Sequence, residues 1–376
     1  MIEKLTVTPA IQLPDYPITR LPDSARILLV RLRLIGDVIL TTPAIRALRN
    51  TYPQARLSYL VEPLSAPVVA RNPHLDEVIV AAAADAPRRL RDDVTLGLDL
   101  RRRRFDLAID FHGGPRSSWF TWASRAPRRI GYEVAARAWM YTTRVPRSRD
   151  LRPRHSVQNQ WDLLEPLGIP RPTPESHPTE LVLDPRAAET VDAWLRQAGI
   201  GGEHRLVMVH VGARIAFRRW PPERFAGTID GLARADARTR FVVIAGPGED
   251  TAERVVADAR GRLPDALRAH VLDSRGWTLD ELRALAAHAA VYIGCDTGPA
   301  HIAGTTSVPI VALYGPTLPE TWAPWRPAGP LTIPLAVAGL PCRPCDQRVC
   351  EPGDFRCLQW IRPEQVLEAA IKCLHP

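Results

Sequence analysis

Two stretches of the chain combine reactive side chains with the kind of loop that presents them. In the first, Leu34-Ile35-Gly36-Asp37-Val38 follows the apolar run Ile27-Leu28-Leu29-Val30 and leads into the helical pattern Ala44-Ile45-Arg46-Ala47-Leu48. Asp37 there can cap a helix, because a carboxylate accepts backbone N–H bonds and Gly36 eases the turn. It can equally be a carboxylate held at the carboxyl end of a parallel sheet, where open α/β folds bind their ligands. In that place it can take a proton from a hydroxyl. In the second stretch, Cys295-Asp296-Thr297-Gly298-Pro299-Ala300-His301 follows Val291-Tyr292-Ile293-Gly294. Gly298 lets the backbone approach a ligand, and Pro299 suits the first turn of a helix. Free N–H groups at such a helix start suit a diphosphate. Thr297 adds a hydroxyl donor, and His301 faces the same mouth. An ordinary turn with Asp296 as a cap and His301 buried fits the same residues.

More anion chemistry lies nearby in the second half. Gly212-Ala213-Arg214-Ile215-Ala216-Phe217-Arg218-Arg219-Trp220 offers clustered guanidinium groups, and Gly246-Pro247-Gly248-Glu249-Asp250 offers a carboxylate able to bind ribose hydroxyls. A G-x-x-x-x-G-K-[ST] loop and a complete G-x-G-x-x-G are both missing, which argues against ATP hydrolysis and dehydrogenation. Near the carboxyl end, Cys342, Cys345, Cys350 and Cys357 are spaced C-x2-C-x4-C-x6-C, compact enough for four thiolates to meet one tetrahedral ion. Pro341, Pro344, Pro352 and Gly353 leave that segment little core, which a structural zinc or iron ion would replace. Free thiols or two disulfides are the alternative.

The elements that must hold these groups alternate. Apolar runs at 26–32, 56–61, 77–80 and 107–110 predict strands, with helices at 43–50 and 66–71. The tract Arg101-Arg102-Arg103-Arg104 predicts the end of an exposed helix, or a basic landing patch for an anionic substrate. The proline-rich residues 168–184 predict a linker. The rhythm then restarts, with strands at 206–210, 241–245, 270–272, 290–294 and 310–314 and helices at 222–233 and 279–288. The expectation is an α/β protein of two Rossmann-like domains facing across a cleft. Its segments are an extension (1–24), a first domain (25–167), the linker (168–184), a second domain (185–340) and a cysteine-rich segment with a last helix (341–376).

Composition narrows the function. The chain has 376 residues, 45% of them hydrophobic, enough for two cores. Its net charge is +8, and all its basic residues but Lys4 and Lys372 are arginine, a side chain that matches phosphate and carboxylate geometry. An arginine-rich genome would give the same bias. No apolar run reaches the roughly 20 residues of a membrane span, and the proline-broken amino terminus is unlike a secretory signal. The expected location is cytoplasmic, with contact to the inner membrane at its surface.

GDVILTTP, FRRWP, AGPGED and DTGPAH, in this order, resemble glycosyltransferase family 9, the ADP-heptose:lipopolysaccharide heptosyltransferases, from Arg26 to the end of the chain. The resemblance implies the GT-B fold and inverting transfer of a heptose from ADP-L-glycero-D-manno-heptose to a sugar of the anionic lipopolysaccharide inner core. It implies no catalytic metal and no nucleic-acid partner. Asp37 matches the catalytic base, which turns the reading of that residue from cap to catalysis. Arg218, with Arg219 as the neighbouring register, matches a donor-phosphate lysine. Glu249 matches a ribose carboxylate, and Asp296, Thr297, Gly298 and His301 match the donor loop. Gly36 and the stretch His112-Gly113-Gly114-Pro115-Arg116 fall on the acceptor side, with His112 and Arg116 as its candidates. The cysteine cluster resembles an iron-binding finger of certain protein heptosyltransferases. Alternatives are an acceptor that is a protein or small natural product, and a nucleotide-sugar binder without turnover.

Overall fold

Strands that are apolar on both faces belong in a parallel sheet, because crossover helices cover each side. Ile27, Leu28, Leu29 and Val30 are all fully buried on this pattern. In the computed structural model, which describes residues 20–147, 154–273 and 276–375, they form β1 (Arg26–Val30). The other strands of the first sheet are β2 (Arg56–Val61), β3 (Glu77–Val80), β4 (Leu107–Asp110), β5 (Arg128–Tyr132) and β6 (Thr143–Val145). They are parallel, in the order β3-β2-β1-β4-β5-β6. The second sheet holds β7 (Arg205–His210), β8 (Thr239–Ile244), β9 (Val291–Cys295), β10 (Ile310–Tyr314) and β11 (Thr332–Ala336), in the order β11-β10-β9-β7-β8.

These orders decide where ligands can bind. Strand order reverses between β1 and β4 in one sheet and between β7 and β9 in the other, and the loops beyond those strand ends diverge to leave a crevice. Val30 stands beside Asp110 in the first sheet, and His210 beside Gly294 in the second. The Gly36-Asp37 and His112 loops therefore border the first crevice. The Arg218 and Asp296–His301 loops border the second.

Three strands were not anticipated, and one expected strand does not form. β5 and β6 are short and carry Arg128, Arg129 and Arg144, and β11 is a partly exposed edge strand containing Pro334, so none reads as an apolar run. At 270–272 only a single bridge, Phe241 to Val271, is present. Of the expected extension, residues 1–19 lie outside the described residues.

Residues 168–184 hold no helix or strand, yet both domains grip them. Glu180 meets Arg46, Asn72 and the Thr42 hydroxyl of the first domain, while Thr179 bonds the Trp325 carbonyl of the second. Arg71 reaches across to Asp184 and to Asp280, the latter at 3.0 Å. One buried apolar cluster runs without a break from Ile27, Leu57 and Ile109 of the first sheet to Met208, Tyr292 and Ile310 of the second.

Candidate functional site

Asp37 is the third residue of a short helix, Ile35–Ile39, that starts just beyond β1. Its Oδ1 lies 2.6 Å from Arg31 Nη2, whereas Oδ2 stands 3.5 Å from the Leu34 N–H. The capping contact is long and the ion pair short, so the carboxylate's position is set by Arg31. Arg31 is itself fixed by a bond to the Phe111 carbonyl. Burial works against its charge, but Asp37 together with Tyr59 and Tyr132 more than offsets this, and the guanidinium is held more firmly charged than usual. The two side chains open on a cavity of about 130 Å³ shared with Tyr132, Arg147, Asn159, Gln160, Thr321 and Trp322. The Gln160 Oε1 is buried without a hydrogen-bond partner among the described residues.

Across the cleft, Asp296 is 3% exposed and its bonds turn inward. Its Oδ2 accepts from the Thr317 hydroxyl at 2.6 Å and faces Arg218 Nη1 at 3.5 Å, and its carbonyl accepts from the same Nη1 at 3.2 Å. The Arg218 Nε donates to Gln347 Oε1 at 2.8 Å. With Nε and Nη1 held, the guanidinium has a fixed plane, and its Nη2 makes no bond among the described residues. Thr297 lies at the start of helix Gly298–Ala303, its hydroxyl 3.3 Å from His210 Nδ1. His301 is buried, which lowers its pKa, and its Nε2 stands 3.8 Å from Asp296 Oδ1. Its ring lies on Gly36: a Cβ added there would come within 2.6 Å of His301 Cδ2. A Cβ on Gly298 would stand 3.1 Å from the Ile35 side chain. The helices that carry Asp37 and Thr297 thus touch through two glycines.

Glu249 folds over the β7 and β8 ends, where a Cβ on Gly212 would meet its Oε2 at 2.5 Å. That oxygen is buried with no hydrogen-bond partner among the described residues, and Oε1 lies 3.9 Å from Arg219 Nη2. Arg219 donates to the Ala213 carbonyl at 2.8 Å, so it braces its own loop while Arg218 meets the Asp296 loop. On the first domain, buried Asp110 accepts from the His112 and Gly113 amides at 2.9 Å each, from Ser117 at 3.0 Å and from Tyr141 at 2.7 Å, which fixes the His112 turn. Burial, reinforced by the charge of Arg31, lowers the pKa of His112 to about 3, so its imidazole is neutral. Arg116 does not face the cleft as a free cation: it bonds Asp93 at 2.6 and 2.9 Å, Glu62 at 2.7 Å and the Ala82 carbonyl at 2.8 Å, and so serves the scaffold.

The family profile of glycosyltransferase family 9 (heptosyltransferase) matches residues 94–353. The chain belongs to this family. Lipopolysaccharide heptosyltransferase 3 of Escherichia coli (strain K12) is 27% identical over 305 residues, covering 78% of this chain and 83% of that one. A family 9 glycosyl transferase from Veillonella parvula superposes with a TM-score of 0.81 at 24% identity, covering 95% of this chain and 99% of that one. For the E. coli ADP-heptose lipopolysaccharide heptosyltransferase II the TM-score is 0.72 at 20% identity, with 93% and 98% covered. The fold is GT-B, as the sequence led one to expect.

The cysteine-rich lobe of this glycosyltransferase departs from expectation. Cys342, Cys345, Cys350 and Cys357 all line one cavity of about 490 Å³ with Phe217 and Phe355, and all four are free thiols. Among the described residues, no three His, Cys, Asp or Glu side chains are disposed to share an ion. Four thiols have the right chemistry for zinc or iron, but as they are disposed here no three of them meet at one point as a tetrahedral shell requires. Other bonds hold the lobe instead: Arg343 to the Thr317 carbonyl at 2.6 Å, and the Cys345 amide to the Pro316 carbonyl at 3.2 Å. No step of the chemistry is routed through a metal there. Sequence reading missed Arg31, Gln160, Thr317 and Gln347. Arg31 alone carried a signal, as the first residue past β1 on the same edge as Asp37.

Proposed function

We propose that the protein transfers a heptose, with inversion, from ADP-L-glycero-D-manno-heptose to a hydroxyl of the lipopolysaccharide inner core at the cytoplasmic face of the inner membrane. The observation that carries this reading is the Asp37 carboxylate, ion-paired to Arg31 and opening on a cavity, on a helix that touches the Thr297–His301 helix across the cleft. The names of the relatives support heptose, its ADP activation and the lipopolysaccharide acceptor.

In the reaction the acceptor oxygen forms a bond to C1 of the heptose on the face opposite the diphosphate, and the C1–O bond to phosphate breaks. The hydroxyl proton goes to Asp37, whose carboxylate Arg31 holds in place at 2.6 Å. The electron pair of the breaking bond leaves with ADP. The unbonded Nη2 of Arg218 and the backbone amides near Thr297 and Gly298 stabilise that growing charge. Asp296 acts through Arg218, fixing its plane together with Gln347. Glu249 accepts from the ribose hydroxyls through the oxygen that has no partner among the described residues.

The deciding experiment measures ADP release from ADP-heptose with lipopolysaccharide cores truncated one sugar at a time. Release that depends on one defined core supports the reading. Donor binding with no release on any core, protein or small-molecule acceptor would replace it with a binding protein.

A further inference from the structure

The helix Arg89–Arg102 lies against the first domain by one face only. Leu100 is buried, a Cβ on Gly97 would stand 2.6 Å from Trp119 and 3.3 Å from Ala123, and Asp93 turns in to Arg116. Its other side breaks the usual rule for a soluble helix. Leu90, Val94 and Leu98 recur every fourth residue and are 72%, 54% and 51% exposed. At about 100° per residue, these three share a sector of about 120° with Arg91, Arg101 and Arg102, while Asp92 and Asp99 fall outside it. Arg91, Arg101 and Arg102 make no side-chain ion pair among the described residues, whereas Arg103, outside the sector, is paired with Glu77 and with Asp99 at 2.7 Å. The helix follows β3, so its first turn stands at the cleft edge of the sheet.

A second observation points the same way. The neighbouring helix Pro115–Ala123 carries Trp122, which meets the 57% exposed Trp139 edge-on at 5.9 Å and lies under the Arg125 guanidinium at 4.1 Å. An exposed indole, here Trp139 on a partly buried Trp122, is the kind of anchor that proteins use at a membrane–water boundary.

We infer that this face, with Leu90, Val94 and Leu98 as its apolar ridge and Arg91, Arg101 and Arg102 as its charges, seats the protein on an anionic lipid surface. Apolar side chains in a basic, acid-free sector enter the headgroup region, and the arginines pair with lipid phosphates. A second copy of the chain would set these arginines against their own kind, which disfavours self-association. The inference deepens the lipid-linked acceptor proposed above: a bilayer on this face lies beside the rim of the cleft.

The test is co-sedimentation with phosphatidylcholine vesicles with and without phosphatidylglycerol. The protein should sediment with the anionic vesicles only and be released by added salt. Leu90→Ser/Val94→Ser/Leu98→Ser should lower partitioning by roughly tenfold or more, as should Arg91→Glu/Arg102→Glu. Both variants should keep the parent melting temperature and the parent rate of ADP release with a detergent-free, delipidated core acceptor. Failure of the parent to sediment, or equal sedimentation of a folded variant, would overturn the inference. So would a dimer or a captured protein partner that depends on the ridge. Vesicle binding without ADP release on any acceptor would leave the docking face standing and remove the proposed transfer.

Discussion

The Asp37 carboxylate spends its short contact, 2.6 Å, on a partly buried arginine and leaves 3.5 Å to the backbone amide a cap would hold. Asp37→Asn keeps the shape and removes the base, so turnover should fall roughly a hundredfold to ten-thousandfold while calorimetric affinity for ADP-heptose stays near the parent value. Near-parent turnover would return Asp37 to capping. Arg218→Ala should act on the other substrate, raising the donor KM and lowering kcat together, because the charge it faces grows in the transition state. Gln347→Ala should do the same more weakly, through the orientation of Arg218, and Gln347→Glu should recover much of the loss. A change confined to acceptor kinetics would place the donor elsewhere. These roles differ in how readable they were. Asp37 and Thr297 announce themselves because motif and strand end coincide within a few residues of chain. Gln347 lies 129 residues from Arg218, and no local pattern reports such a pairing. Arg116 misled for the converse reason: it stands beside the glycine turn, but its partners Glu62 and Asp93 come from distant elements.

At the scale of elements, the contact between helices Ile35–Ile39 and Gly298–Ala303 sets the distance between the proposed base and the proposed donor site. Gly36 is required there by space, since any Cβ would run into the His301 ring at 2.6 Å. Gly36→Ala should therefore lower turnover at least tenfold in a protein that still folds, by prising the two helices apart. Trimming the ring should relieve the clash: in Gly36→Ala/His301→Ala the loss should be smaller than the sum of the two single losses, and strict additivity would mean that the contact does not control the spacing. The rhythm of strands and helices was legible because buried parallel strands are written as unbroken apolar runs. β5, β6 and β11 were not, because edge and near-edge strands tolerate arginine and proline. The cysteine lobe was open for a third reason. Thiol spacing along a chain limits which sulfurs can meet, and it does not say how loop hydrogen bonds such as Arg343 to Thr317 will dispose them.

For the molecule as a whole, His112, His155 and His210, the last buried and the first two partly so, set a direction for acid sensitivity. Burial is the first cause in each case, lowering His112 to about 3 and His155 and His210 to about 4 from an ordinary 6.5. Above 6.5 folded and unfolded chains both hold them neutral. Between 6.5 and 4 only the unfolded chain takes up the protons, so stability falls as pH falls across that window, by on the order of 3 kcal/mol for a single histidine. The melting temperature should drop from pH 7 to pH 4.5, and His210→Gln should flatten that drop; a drop of unchanged size would clear His210. The unbroken apolar cluster that joins the two sheets has a thermal consequence as well. Separate Rossmann-like domains joined by a loose tether would melt in two steps, one per core. Here neither half can unfold without baring the apolar surface of the other, so heating should give one endotherm with equal calorimetric and van't Hoff enthalpies. Cutting the backbone within 168–184 should not divide it: the two fragments should stay associated and come apart only when both melt, at a single temperature.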